Sequence, residues 1–372
     1  MKLKFKNGRF NILQVSDPQD LQIIRKAMFV MLERAYDRFK PDLILITGDN
    51  TLGNHFTDAV PVLSRLTVKT KEDELREMKK ALAYLLEPIE KRHIPFAAIY
   101  GNHDDMNKVT KEEQNEIYRS YSCCVGLDGE EAYRGTYNLP IYSEDESRIA
   151  FNLWMIDSAR FDKEQKKSFH YVLPETVEWY EKKSAELKEQ NGGKPVPSVM
   201  FQHIPLRETL ELIEECDEER GSVLENGKRY RLKDGVSGVM GEFPSVCTEE
   251  VGQFDAMKRA GDIRAVVFGH DHVNRFEGNV DGIDFIQTAG CSFRCYGSSE
   301  RGLRTFTLYE DGGYDTRYYT YFDICGKGPV SLLRYFRDAD ELWKARAAVG
   351  AAAAAAAAAG TAAGIIKAKK KH

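Results

Sequence analysis

Five times along this chain an apolar run of strand length breaks directly into a short polar turn carrying Asp, Asn or His. Phe10 to Val15 runs into Ser16-Asp17-Pro18-Gln19, and Leu43 to Thr47 into Gly48-Asp49-Asn50. Phe96 to Tyr100 runs into Gly101-Asn102-His103-Asp104, Val196 to Gln202 into His203-Ile204-Pro205, and Ala265 to Phe268 into Gly269-His270-Asp271-His272. A run such as Leu43 to Thr47 reads as a fully buried strand, because almost nothing in it can face water. Ile149 to Ile156 and Ile283 to Gln287 add two more strands. Between them lie helical patterns: Leu21 to Phe39, Lys71 to Lys91, and Pro174 to Gln190, the last opened by Pro and closed by Asn191-Gly192-Gly193. Thr305 to Leu308 and Tyr314 to Tyr321 form a hairpin around Glu310-Asp311-Gly312-Gly313. The alternation predicts an α/β core with helices outside and a β-rich end.

In such sheets, ligands bind beyond the carboxyl ends of the strands. Each polar turn taken singly has an ordinary reading. Asp17-Pro18 suits a helix N-cap with Pro at the first helical position, Gly48-Asp49-Asn50 is a turn, and a lone His203 is more often structural than not. Together they all occupy the same topological place, and four of the eight histidines fall within them. That distribution points to one shared site. His270 and His272, spaced i, i+2 after a strand, can face one pair of metals. Asp, Asn and His so gathered suit two metal ions, which clamp the attacking and leaving oxygens of a phosphate ester.

The remaining sequence bounds the partners. A net charge of -5 gives no nucleic-acid surface. Met1 to Lys6 alternates charge and apolarity rather than forming a signal-peptide core, which points to the cytoplasm. Seven cysteines without framework spacing read as reduced thiols. Two long polar segments, Asp105 to Ser147 and Arg207 to Thr248, interrupt the pattern as walls or lids of a site. The acidic stretch Glu208 to Arg220 is expected to be a solvated helix face. Tyr118, Tyr121, Tyr133, Arg134 and Arg231 are candidates for substrate contact in these insertions. Val330 to Ala345 reads as an amphipathic helix presenting Leu332, Leu333, Phe336, Leu342 and Trp343. Ala351 to Ala359 and the basic end Lys367 to His372 read as an Ala-rich helix or flexible tail. A membrane anchor is the alternative, disfavoured because alanine is barely apolar and Gly350, Gly360 and Gly364 weaken a helix. The division expected is a catalytic domain over 1–325 and a C-terminal helix and tail over 326–372.

The order of the motifs resembles the calcineurin-like metallophosphoesterase superfamily: D-x-H, G-D, G-N-H-[DE], a His after a strand, then G-H-x-H. The resemblance spans Asn11 to Tyr321. Phe201 to Leu206 and Gly269 to Asn274 are similar to the branch related to purple acid phosphatases. The resemblance implies a four-layer α/β/β/α sandwich of two mixed sheets flanked by helices, and a centre of two divalent metal ions (Mn, Fe, Zn or Mg). By the same resemblance Asp17, Asp49 and His272 hold the first metal. Asp49 bridges to the second, which Asn102, His203 and His270 complete. His103 would stabilise phosphoryl charge or protonate the leaving oxygen, and Asp104 would orient the His103 imidazole or cap the following segment. Gln19 stands where the family has His. Its carbonyl oxygen either ligates, more weakly than imidazole toward softer ions, or stays out of the site. No Tyr lies beside Asp17, so a tyrosinate-iron centre is not expected. The implied reaction is hydrolysis of a small phosphomonoester by a metal-activated hydroxide. Hydrolysis of small diesters such as cyclic nucleotides, or a non-catalytic phosphate-binding scaffold, are the alternatives.

Overall fold

Strand periodicity decides which of two apolar layers each core residue enters. The computed structural model describes residues 2–53, 55–56, 68–127, 135–162 and 164–352. The chain opens with β1 (Leu3–Lys4), β2 (Arg9–Val15), α1 (Lys26–Phe39), β3 (Leu43–Thr47), α2 (Lys71–Glu90), β4 (Phe96–Ile99) and α3 (Lys111–Arg119). Then come β5 (Tyr137–Tyr142), β6 (Ile149–Ile156), β7 (Arg160–Asp162), β8 (Lys167–Phe169), α4 (Pro174–Gln190) and β9 (Ser198–Gln202). The second insertion carries β10 (Ile213–Cys216), β11 (Val223–Glu225), β12 (Lys228–Leu232) and β13 (Ser237–Val239). The chain continues through α5 (Gln253–Ala260), β14 (Ile263–Phe268), β15 (Arg275–Val280), β16 (Ile283–Gln287), β17 (Gly302–Tyr309), β18 (Tyr314–Thr320), α6 (Tyr321–Cys325) and α7 (Pro329–Asp338).

Two mixed sheets form the core. One has eight strands in the order β1-β5-β6-β9-β14-β16-β15-β13, the other five in the order β18-β17-β2-β3-β4. The centres of both are parallel: β2-β3-β4 in the smaller sheet, β6-β9-β14-β16 in the larger. On the larger sheet Leu153, Met155, Val199, Phe201, Ala265 and Val267 enter the apolar layer shared with the smaller sheet. Their neighbours Trp154, Ile156, Met200, Val266 and Phe268 enter a second layer with Val177, Tyr180 and Met257 of α4 and α5. Met28, Met31, Leu32 and Ala35 of α1, with Met78, Leu82 and Leu86 of α2, join the same contiguous cluster as the smaller sheet. This is the α/β/β/α sandwich that the motif order implies.

Several local expectations fail for identifiable reasons. Helix α1 starts at Lys26 rather than Leu21, because the buried Asp20 carboxylate accepts from the backbone N–H of Leu21 (2.8 Å) and Arg25 (2.7 Å) and folds residues between them into a loop. Glu208 to Arg220 is not a helix face: a 3-10 turn over Arg207–Leu212 leads into β10, which pairs with β12 in a three-stranded sheet. The helix from Val330 stops at Asp338, and its docked face is Ser331, Tyr335 and Asp338, leaving Leu332 and Leu333 exposed. Residues 326–342 nonetheless join the main core: Tyr335 and Ala339 lie within it, and Asp338 Oδ2 accepts from the Ala27 N–H at 2.7 Å. Tyr118 is buried against Tyr100, Tyr121 lies against Phe96, and Arg231 pairs with Glu214, so these three are engaged in packing or surface pairing. Tyr133, Arg134 and the chain from residue 353 lie outside the described residues. Among the described residues no helix is long and apolar enough to cross a membrane, and no disulfide forms.

Candidate metal centre

The five polar turns come together because both sheets point the carboxyl ends of their central parallel strands to the same place. Asp17 follows β2, Asp49 follows β3, Asn102 and His103 follow β4, His203 follows β9, and His270 follows β14. Three of these residues sit in left-handed backbone: Asp17 at φ 49°, Asp49 at φ 48° and His270 at φ 72°. Outside glycine this conformation costs roughly 1–2 kcal/mol per residue, and it bends each chain sharply enough to turn its side chain inward. Two motif glycines make room for side chains of the site. A Cβ at Gly48, itself at φ 91°, would overlap the His203 imidazole, and one at Gly101 would overlap the Asp49 carboxylate.

Ligand atoms of Asp17, Asp49 and His203, all buried, lie within 4.8 Å of one another. His203 Nε2 is 3.5 Å from Asp49 Oδ2 and 3.8 Å from Asp17 Oδ1. His272 Nε2 is 3.6 Å from Asp17 Oδ1. These separations are too long for hydrogen bonds but suit groups arranged around a common cation. The imidazole tautomers agree. His203 Nδ1 lies 3.1 Å from the Thr47 carbonyl and His272 Nδ1 3.1 Å from the Tyr296 carbonyl. A carbonyl only accepts, so each Nδ1 carries the proton, and each Nε2 can offer a lone pair to the site.

Buried polar atoms without hydrogen-bond partners mark what is required there. Asp17 Oδ1, Gln19 Oε1, Asn102 Oδ1 and His203 Nε2 are all of this kind. A buried polar group left unsatisfied costs about 1–3 kcal/mol, yet four lie on three of the turns that meet here. Burial works against a charged His203, but Asp49 and Asp17 outweigh it and lift its pKa to about 10. Two facing carboxylates thus demand positive charge, which a divalent ion supplies as a proton does. Burial raises the Asp17 carboxyl, only partly opposed by His203 and His272. At Asp49 burial is outweighed by His203, so that carboxyl stays well below its usual range. Burial, with the charge of His203, pushes His270 well below the usual imidazole value. The residues present therefore fit a metal centre with mixed oxygen and nitrogen donors, as Mn, Fe, Zn and Mg accept in different proportions.

The other candidates have distinct placements. Gln19 Nε2 donates to Asp49 Oδ2 at 2.8 Å, leaving its carbonyl oxygen unpartnered beside the carboxylates. His103 donates its backbone N–H to Asp49 Oδ1 at 2.8 Å, and its ring Nδ1 is buried without a partner. The His270 N–H reaches Asp17 Oδ2 at 3.2 Å, and its ring packs edge-on to His203 at 5.2 Å. Asp104 differs from both expected roles. Its carboxylate accepts from the backbone N–H of Gly101 (2.9 Å), Asn50 (2.9 Å) and Thr51 (3.2 Å), not from the His103 ring. It ties the Asp49 turn to the Asn102 turn. Burial and the nearby Asp49 charge raise its pKa to about 7.

Two neighbours of the site carry no signal in the sequence pattern. Tyr296 stacks on His272 at 4.4 Å, 5° from parallel, and its hydroxyl donates to Glu242 at 3.0 Å. His170 packs edge-on to His270 at 5.6 Å. Neither follows an apolar strand, so strand-end reading passes over both.

Comparison with known proteins gives relatives and a family for the chain. The chain is 26% identical over 343 residues to the probable inactive purple acid phosphatase 29 of Arabidopsis thaliana, covering 82% of this chain and 79% of that protein. It is 24% identical over 255 residues to phosphatase DCR2 of Saccharomyces cerevisiae, covering 66% of this chain and 38% of the yeast protein. Among solved structures, a dimetal phosphatase from Danio rerio shares the fold, with a TM-score of 0.51 at 11% identity, covering 84% of this chain and 96% of that one. The calcineurin-like phosphoesterase family matches residues 10–274, well over half of the length, and the chain belongs to that family.

Proposed function

We propose that this chain is a phosphoesterase with two divalent metal ions that hydrolyses small phosphomonoesters. The observation that carries the reading is the convergence of four buried, unpartnered donor atoms, from Asp17, Gln19, Asn102 and His203, beside the inward Nε2 of His272. Asp17, Asp49 and His272 would hold one ion, with Gln19 Oε1 at hand. Asn102, His203 and His270 would hold the other, and Asp49 would lie between the two. When bound, such a pair supplies Lewis acidity and a water acidic enough to attack phosphorus near neutral pH. The rest falls to the chain. The left-handed turns fix the carboxylates before substrate arrives, so little reorganisation accompanies the reaction. Thr47 and Tyr296 hold the tautomers of His203 and His272. His103, whose backbone is anchored on Asp49, keeps its ring available to stabilise a phosphoryl oxygen or to give a proton to the leaving oxygen.

One observation favours a second reading, a non-catalytic phosphate-binding scaffold. Gln19 gives its amide N–H to Asp49 Oδ2, where the family pattern has an imidazole, and three Arabidopsis relatives are each named probable inactive purple acid phosphatase. Metal-stripped protein given back Mn, Mg, Zn or Fe, and assayed on p-nitrophenyl phosphate and its bis-ester, separates the two. Metal-dependent turnover of the monoester that disappears in Asp49→Ala supports the enzyme. Metal uptake and phosphate binding without turnover of either ester supports the scaffold. Preference for the bis-ester replaces the monoesterase by a diesterase.

A further inference from the structure

We infer that His170, on the strap between β8 and α4, is a substrate-contacting residue whose Nε2 hydrogen-bonds a phosphoryl oxygen on the His203–His270 side of the site. The inference rests on the phosphoesterase reading and names a residue that the family's motif order does not contain. His170 packs edge-on to His270, which packs edge-on to His203, so the three rings form a row leading outward from the candidate metal centre. His170 Nε2 is buried and has no hydrogen-bond partner.

The backbone around this imidazole is held by other contacts. The rings of its two neighbours, Phe169 and Tyr171, grip the Arg160 guanidinium at 4.7 Å each. Arg160 also donates to the Tyr171 hydroxyl at 2.7 Å. The His170 carbonyl accepts from the Thr248 N–H at 2.9 Å, tying the strap to the second insertion. A residue fixed at both flanks and at its own carbonyl does not need its ring nitrogen for structure. An imidazole has at least one N–H to donate in either charge state, and a phosphoryl group offers several acceptor oxygens. Such a donor, positioned before the ligand arrives, selects for a phosphate held at the second metal position.

The test uses metal-reconstituted full-length protein with inorganic phosphate and p-nitrophenyl phosphate as probes. His170→Ala is expected to keep wild-type metal content and melting temperature. It should weaken phosphate binding and raise KM by on the order of 10-fold, the loss of one hydrogen bond to a charged ligand. His170→Gln, which places an amide N–H near the position of Nε2, should recover most of that loss. Unchanged phosphate affinity and KM in His170→Ala overturn the inference. So does loss of a bound metal ion, which would make His170 a ligand, and so does a His170→Gln variant no better than Ala. A wild-type protein that takes up no metal overturns the phosphoesterase reading and this inference with it. A wild type that binds metal and phosphate without hydrolysis overturns only the enzyme, and the phosphate arm still decides His170.

Discussion

Asp104 offers the sharpest test of how the site is held. Its fully buried carboxylate is the acceptor for three backbone N–H groups, of Gly101, Asn50 and Thr51, on the two turns that carry Asp49, Asn102 and His103. In Asp104→Ala all three donors lose their partner. At about 1–3 kcal/mol each the gross loss is roughly 3–9 kcal/mol. Two effects reduce it: the buried acid no longer carries the burial penalty that raises its pKa to about 7, and water can enter the space left. A net loss of about 3 kcal/mol is expected, a large part of the roughly 5–15 kcal/mol that holds a protein folded. Asp104→Asn keeps one acceptor oxygen but turns an NH2 toward donors, so it should fall between Ala and wild type. Urea unfolding of the metal-free proteins measures the midpoint and slope, and titration with Mn then reads metal affinity. Both variants should bind metal more weakly, because the two turns are no longer tied. If Asp104→Ala unfolds within about 0.5 kcal/mol of wild type and takes up metal normally, the carboxylate is not what joins the turns.

Three further outcomes rest on particular contacts. Gln19→His, assayed by metal titration and turnover, should raise affinity for Zn and Fe relative to Mn and Mg, because imidazole is a better ligand for the softer ions than an amide oxygen. Metal content and activity that do not move would place position 19 outside the centre. Asp338→Ala should destabilise the protein by about 1 kcal/mol, since Asp338 accepts from the Ala27 N–H and the residue before α1, Arg25, offers no side-chain cap; urea midpoints equal to wild type would contradict this. Asp262, which accepts from Trp154 Nε1 and the Tyr180 hydroxyl, has its pKa raised by burial against those hydrogen bonds. Its contribution to stability is fully present below the unfolded value of about 3.9 and is lost as pH rises through the higher folded value. Asp262→Asn, which mimics the neutral acid, should therefore gain on wild type as pH rises from about 4 toward neutrality. A gap in unfolding free energy that stays constant over that range would refute the shift.

Much of the fold and candidate site was legible because burial leaves a plain mark on sequence. Leu43 to Thr47 and Val266 to Phe268 have no polar side chain except at the end, so they belong in covered parallel sheets, and each runs directly into a polar turn. The pattern says nothing of what happens inside a turn. The left-handed backbone of Asp17, Asp49 and His270 and the use of Asp104 as a tie between turns depend on contacts from other strands. The second insertion misled because charge density there reads equally as an exposed helix or an exposed sheet. In Lys228–Leu232 the side chains are half-buried or exposed throughout, so no alternation betrays the strand. The strand Arg275–Val280 contains Gly278 and Asn279, both poor strand formers, and is held as a strand by pairing with β16 on one side and β13 on the other. His170 was invisible for a related reason: its place beside His270 follows a hairpin of half-buried and exposed residues.

The spread of the site along the chain governs how a cation takes part in folding. The candidate ligands run from residue 17 to residue 272 on five separate turns, so in the unfolded chain any ion could gather no more than adjacent pairs such as His270 and His272. A metal therefore cannot nucleate this protein as it can a small zinc domain. The two sheets must register first, and they close every loop between ligands before an ion arrives. Bound metal then adds stability only by mass action on a finished scaffold. Chelation should lower the melting temperature while leaving the chain folded, and metal affinity becomes a gauge of the alignment of both sheets. A substitution deep in either apolar layer, far from any ligand, would register first as a change in that affinity.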